Sequence, residues 1–369
     1  MNERKSFDKI LIIGVGLLGG SLGLALKRKG FTGKILGVDS PEVLEIALNR
    51  KIIDASWQKG EMDKAVALAD LIFLCTPIKT IIQLLQQLGK SVKPKTLITD
   101  VGSTKRKIIE TANIHLPAGC DFIGGHPMTG SEARGIEAAD PFLFENTTYV
   151  LTPSRPVSES TRKAFGELLE SIGAKVLLLL PALHDEIAAA VSHLPQLASV
   201  ALMNLAASKQ IESSHFLKMA AGGFRDMTRV ASSPYGIWKD IIETNTDMIL
   251  SYIDAYVEEL TRIRKVLESN SLEKYFEKAA RDRLSIPKDT KGFLRPHYDI
   301  SVSVEDKPGM VAAISASLFE RNINIKDIEV LKIREDEGGT MRLAFSSEED
   351  RKLALHLLKE KGFECRKRE

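Results

Sequence analysis

Short, unbroken apolar runs alternate with segments of helical period through the first half of the chain. "KILIIGVG" is a continuous apolar run closed by glycine, the pattern of a strand buried on both faces. "LLGGSLGLALKRKG" follows with helical spacing and stops at Gly30. The alternation continues through strand "KILGVD", helix "PEVLEIALNRK", strand "ADLIFLCTP", helix "TIIQLLQQLGKSV", strand "TLITDVG", helix "KRKIIETANIH" and strand "CDFIGGHP". Strictly alternating elements with apolar strands predict a doubly wound parallel sheet. "NTTYVLTPS", a helix over 158–172 and "KVLLLL" extend this α/β domain, which is expected over residues 1–181.

The pattern changes near Pro181. From there to about Leu284 no strand is predicted, and residues 182–286 read as an all-α domain. "HDEIAAAVSHLPQLASVALMNLAAS" is apolar on several faces, with a break expected at Pro195. Long helices with broad apolar faces need something to pack on, which argues for contact with the first domain and with a second copy in a homodimer. A monomeric helical bundle is the alternative, with little core to support it. Residues 287–296, within "SIPKDTKGFLRPH", read as a linker. Residues 297–369 then run strand, helix, strand, strand, helix, strand: the βαββαβ, ferredoxin-like arrangement.

Composition narrows the class. The formal net charge of +2 gives no reason to expect a nucleic-acid or membrane partner. Three widely spaced cysteines fit a reducing, cytoplasmic setting better than a disulfide framework. The N-terminal residues have no signal-peptide core, and no apolar run reads as long enough to span a bilayer.

Gly14, Gly16 and Gly19 form G-x-G-x-x-G between the first strand and the first helix, which makes the first domain Rossmann-type. The first glycine permits the turn, the second admits a pyrophosphate, and the third lets the helix pack on the sheet. Leu17 and Leu18 open the helix, whose free N–H groups face the anion. Asp39 ends the second strand, where a carboxylate binds ribose hydroxyls and repels a 2′-phosphate. NAD is therefore expected rather than NADP. A turn or cap before Pro41 is the structural alternative for Asp39. Thr76 and Pro77 end a later strand at the same sheet edge and line the nicotinamide side.

Ser103 in "DVGSTK" and His126 in "GGHPMTGSE" follow strands of one parallel sheet, where ligands bind. A histidine there can act as general base while hydride leaves the same carbon as its hydroxyl proton. Ser103 reads equally as a helix N-cap. Glu132, His193 in "VSHLPQ" and Arg225 in "GGFRDMTR" are further polar candidates, each open to a structural reading. No local metal spacing occurs, so no metal site is expected.

The set "IIGVGLLGGSLGLALK", "DVGSTK", "GGHPMTGSE", "SHLPQ" and "GGFRDMTRVASSPYGIWKDI" closely resembles prephenate dehydrogenase, an enzyme of tyrosine biosynthesis. "VEDKPGMVAAISASLFERNINIKDIEV" resembles an ACT domain, a regulatory amino-acid-binding module. The first resemblance implies oxidative decarboxylation of prephenate to 4-hydroxyphenylpyruvate with NAD. By it, His126 is the base, Ser103 orients the hydroxyl and the histidine, Arg225 holds a substrate carboxylate, His193 contacts substrate and Glu132 helps gate or polarise the pocket. The second implies tyrosine as effector, bound between the loop of Asp306, Pro308 and Gly309 and the Asn322–Asn324 segment of a paired domain. Turn chemistry explains that loop as well, and a domain serving only assembly is the alternative. Similar enzymes in some bacteria carry an N-terminal chorismate mutase domain; none is expected here, where the cofactor strand starts near Lys9. Arogenate dehydrogenase, and more distantly a β-hydroxyacid dehydrogenase with a regulatory tail, remain alternatives on the same scaffold. So does a non-catalytic sensor of NAD and amino acids.

Overall fold

The computed structural model describes residues 7–129, 133–153, 156–268, 272–285, 298–334 and 338–368. The chain divides into two compact units, Met1–Glu277 and Lys278–Glu369. The expected Rossmann-type segment and the expected helical segment up to Glu277 fall together in the first unit, while the boundary cuts that helical segment before its expected end at residue 286. The expected linker, 287–296, lies outside the described residues.

The first unit begins with β1 (Lys9–Ile13), α1 (Leu17–Arg28), β2 (Lys34–Asp39), α2 (Pro41–Asn49), β3 (Ala55–Gln58), α3 (Met62–Val66), β4 (Leu71–Leu74), α4 (Ile78–Leu88), β5 (Leu97–Asp100), α5 (Arg106–His115), β6 (Asp121–Pro127), β7 (Thr148–Pro153), α6 (Glu159–Ser171) and β8 (Lys175–Leu178). The strands form one sheet in the order β3-β2-β1-β4-β5-β6-β7-β8. Every residue of β4 and β5 is buried, as continuous apolar strands between two helical layers must be. One core lies between the sheet and α1, α2 and α6; the other lies under α4 and α5. α4 shows why it docks: Ile78, Ile81, Leu84, Leu85 and Leu88 share one buried stripe at helical spacing.

The sheet departs from the expected parallel pattern at one point. β7 runs antiparallel to β6, and β8 follows β7 in parallel. A parallel neighbour would need a helical crossover; the described residues between β6 and β7 form no α-helix or strand. β3, an edge strand of half-buried residues, was not predicted because it lacks an apolar run.

α7 (Pro181–Ala188), a π turn (Ala189–His193) and α8 (Leu194–Ser208) form one continuous helical run. The break expected at Pro195 is taken up by that π turn, since proline has no N–H to continue an α-helical ladder. The joined run, Pro181–Ile211, is long and apolar enough to cross a bilayer by length and composition, which corrects the sequence expectation. It nonetheless buries His184, Asp185 and His193 against the rest of the unit, so we read it as a packed helix. α9 (Gly222–Thr228), α10 (Tyr235–Glu268) and α11 (Glu273–Ser285) follow. α10 is interrupted at Asn245, whose φ of −137° is not helical.

The second unit contains β9 (Tyr298–Val304), α12 (Met310–Phe319), β10 (Asp327–Arg334), β11 (Gly338–Phe345), α13 (Glu348–Glu360) and β12 (Cys365–Lys367). Its sheet, in the order β10-β11-β9-β12, is antiparallel throughout, as βαββαβ predicts. Ile300, Val302, Ile314, Leu318, Leu343 and Leu358 build its core.

Candidate active site

The glycine turn after β1 has the geometry of a dinucleotide cradle. Gly14 has φ +95°, and a Cβ there would lie 2.6 Å from the carbonyl oxygen of Cys75. A Cβ on Gly19 would lie 2.1 Å from the Gly14 oxygen, so α1 can seat on the turn only as glycine. At Gly16 a Cβ would meet nothing within 4 Å: the gap opens outward, where a pyrophosphate would approach. Asp39 accepts hydrogen bonds from Val15 N at 2.7 Å and Ser40 N at 2.7 Å, which fixes its carboxylate at the end of β2. Thr76 Oγ1 is buried beside this turn with no partner. A buried hydroxyl left unpaired is costly, and a ligand amide or hydroxyl would satisfy it.

A cavity of about 470 Å³ opens from this cradle. Leu17, Leu18, Thr76, Pro77 and Ser103 line it, together with Thr129, Arg134 and the Gly236–Ile237 turn of α10. Ser103 is not the N-cap of α5. Lys105 holds that place without a capping side chain of its own. Asp185 caps the helix instead, accepting from Lys105 N at 2.6 Å and Arg106 N at 2.9 Å. Ser103 therefore has no capping duty, and it lines the cavity.

His126 ends β6, the neighbour of the strand that leads to Ser103. Its Nδ1 lies 2.8 Å from His184 Nε2, and His184 Nδ1 lies 2.8 Å from Asp185 Oδ1. The carboxylate can only accept, so His184 donates from Nδ1 and its neutral Nε2 accepts. His126 must then donate from Nδ1, which leaves its Nε2 as a bare lone pair. Burial, and then the neighbouring His184, Lys105 and His193, hold the His126 imidazole well below the ordinary histidine pKa. Burial alone would raise Asp185; its hydrogen bonds from His184 and from the Arg106 and Lys105 amides overcome that, so it titrates below the usual carboxylate range.

His193 has the opposite tautomer. Asn245 Nδ2 donates to Asp185 O at 2.8 Å and approaches His193 Nδ1 at 3.3 Å, while Asn245 Oδ1 accepts from Arg106 Nη2 at 2.8 Å. With its amide so oriented, Asn245 offers His193 a donor, and the His193 proton sits on Nε2. Burial pushes the His193 pKa down to about 4, against the opposing pull of Asp185. Beneath both, Lys105 is fully buried and ion-paired with Asp100; its Nζ also donates to Gly125 O at 2.6 Å, and Gly125 N donates to Asp100 Oδ1 at 3.1 Å. Both polar groups of the residue before His126 are thereby tied to the end of β5.

Leu17, Leu18, Thr76, Pro77 and Ser103 line one cleft; Gly14, Gly16 and Gly19 shape the turn beside it, Asp39 is tied to that turn through Val15 N, and His126, at the adjoining strand end, does not itself line the cleft. His193 joins the histidine network through Asn245. Arg225 is exposed on α9 and does not line the cavity. Glu132 lies outside the described residues. In the second unit, Asp306 and Gly309 line a separate cavity of about 290 Å³ with Met310 and Val330. Asn322 and Asn324 do not line it; Asn322 sits at a turn with φ 56°, a conformation asparagine tolerates. Sequence reading missed His184, Asp185, Asn245 and Lys105. Only the adjacent His-Asp pair within an alanine-rich apolar helix was a visible signal. No cluster of three or more metal-ligating side chains occurs among the described residues.

Residues 22–178 match the family model for the prephenate dehydrogenase nucleotide-binding domain, and residues 180–280 match that for the prephenate dehydrogenase dimerization domain. The chain belongs to the prephenate dehydrogenase family. It is 36% identical to prephenate dehydrogenase of Bacillus subtilis (strain 168) over 359 residues, 96% of each chain. It is 37% identical to that of Lactococcus lactis subsp. cremoris, over 95% of this chain and 97% of the relative. Among solved structures it resembles prephenate dehydrogenase from Aquifex aeolicus in complex with hydroxyphenyl propionate and NAD+ (TM-score 0.69, 29% identity, 77% of this chain and 100% of that one). It also resembles Synechocystis arogenate dehydrogenase (TM-score 0.67, 32% identity, 74% and 98%). As a member of the prephenate dehydrogenase family it is an NAD-dependent dehydrogenase, and the Gly16 gap, Asp39 and the orphaned Thr76 hydroxyl fit that cofactor.

Proposed function

We propose that the chain oxidatively decarboxylates prephenate to 4-hydroxyphenylpyruvate, with His126 as the base. The observation that carries this reading is the Asp185–His184–His126 chain, which leaves a neutral Nε2 lone pair at the end of β6. Bound NAD supplies the hydride acceptor. His126 Nε2 accepts a hydrogen bond from the substrate's C4 hydroxyl and draws its proton as hydride departs from C4 and CO2 from C1. The product keeps that hydroxyl hydrogen as a phenol, so the base holds the proton only through the step. Ser103 orients the hydroxyl from the cavity wall. His193, protonated at Nε2, donates to the substrate, and Arg225 serves a carboxylate with its planar fork. Glu132 is assigned to gating.

The same reading makes the second unit an ACT-like regulatory domain, with tyrosine held at the Asp306–Gly309 loop. The enzyme works as a homodimer, for which α10 offers a face: Leu250, Val257, Leu260 and Leu267 are 47–59% exposed at spacings of seven, three and seven residues. The likeness to arogenate dehydrogenase favours a second reading, in which the substrate carries an amino group in place of the keto group. NADH formation with prephenate, arogenate and a 3-hydroxyacid, with and without tyrosine, tests all of this. No turnover of prephenate overturns the main reading, and turnover blind to tyrosine overturns the regulatory one.

A further inference from the structure

Arg134 is the one basic side chain lining the 470 Å³ cavity among the described residues, and no role above uses it. Its position follows from how its loop is held. Arg50, at the end of α2, donates from Nη1 to Ile136 O at 2.6 Å and from Nη2 to Ala139 O at 3.1 Å. Asp140 N donates to Ser21 Oγ at 2.9 Å. Gly20 packs so closely on the same segment that a Cβ there would lie 2.9 Å from Ala139 Cβ and 3.7 Å from Ile136 Cγ1. Residues 136–140 are thus pinned along the first turns of α1. Arg134, two residues upstream, is carried toward the N-terminal end of that helix, where Leu17 and Leu18 line the same cavity.

That end of α1 is where a dinucleotide's diphosphate must lie, because the Gly16 gap admits it and the free amides face it. Neutral amides leave most of two negative charges uncompensated. A guanidinium supplies the missing charge and matches two phosphate oxygens with one planar fork.

We infer that Arg134 is a diphosphate clamp, closing over the cofactor opposite the amides of Leu17 and Leu18. The inference rests on the cofactor reading and not on the identity of the oxidised substrate.

The test is the affinity of the full-length enzyme for NADH, by fluorescence, and for ADP-ribose, by calorimetry, at low and high salt. Arg134→Gln is expected to weaken both about tenfold, the scale of a lost charge-assisted hydrogen bond. It should also flatten the salt dependence seen in the parent enzyme, and Arg134→Lys should recover part of the loss. An unchanged ADP-ribose affinity in Arg134→Gln overturns the inference. So does a raised KM for prephenate with ADP-ribose affinity intact, which would give Arg134 to a substrate carboxylate. Failure of the unsubstituted enzyme to bind ADP-ribose would overturn the clamp together with the cofactor reading, whereas normal ADP-ribose binding without prephenate turnover would strike only the proposed substrate.

Discussion

Two histidines at one site carry opposite tautomers, and each is set by a residue that touches neither the cofactor cleft nor the solvent. Asp185 directs a proton toward His126 Nδ1 through His184; Asn245 directs the His193 proton to Nε2. One imidazole is left to accept and the other to donate. Asp185→Asn tests this. Asparagine can present an N–H to His184, which reverses the chain and moves the His126 proton onto Nε2, where the base is needed. The expected outcome is a fall in kcat of about 100-fold, on the scale of losing a partner that orients a functional histidine, with NADH affinity unchanged. A kcat within threefold of the parent would show that the tautomer is set some other way. His126→Asn should lower kcat far more than it raises KM, since the base acts only as the proton moves. Arg225→Ala should do the reverse, and an unchanged KM would take Arg225 out of the substrate site.

At the scale of elements, the π turn is what lets one helix carry both halves of the network. It adds a residue to one turn of helix between Asp185 and His193, and so resets which face His193 presents. Inserting one alanine after Ala190 adds a residue that the π turn does not already absorb and should rotate one half against the other by about 100°. The variant should keep its helical circular dichroism yet lose about 100-fold in kcat; retained activity would mean the turn has no positioning role. Such features explain what the chain's pattern could and could not reveal. Alternating apolar runs and helical periods are local, so β1, β2, β4, β5 and their helices were legible, as was the glycine turn with Asp39. The direction of β7 was not, because it depends on where residues 128–147 travel rather than on any residue within β7. His126 stood out because it follows a strand of the parallel sheet, at the edge where ligands bind. His184, Asp185 and Asn245 did not, because a polar residue in a helix has meaning only once its buried partners are known. Asn245 in particular looks like any other position of α10 until its broken helical geometry is seen.

For the whole molecule, the buried neutral histidines couple the site to stability. His126 and His193 both titrate below their unfolded value, so between that value and the folded one the unfolded chain binds more protons. Their contribution is complete above about pH 6.5 and is lost as pH falls; for His193 the window runs down to about 4. Denaturant unfolding of the first unit should therefore weaken across this range by up to about 3 kcal/mol from His193 alone. His193→Gln, which cannot titrate, should show a shallower slope, and an identical slope would mean that His193 is not buried neutral in solution. Assembly follows the same logic of burial. Leu250, Val257, Leu260 and Leu267 are an apolar seam that a single copy leaves in water, and in a two-fold dimer every substitution acts twice. Each aliphatic side chain covered contributes about 1.5–3 kcal/mol, so placing charges at two of them costs far more than a surface change. Val257→Glu combined with Leu260→Glu is expected to give a monomer by sedimentation at concentrations where the parent chain is a dimer. Both positions lie beyond Asn245 along α10 and outside the cofactor cavity, so ADP-ribose affinity should survive the change. A double variant that remains dimeric would place the interface on another face of the helical segment.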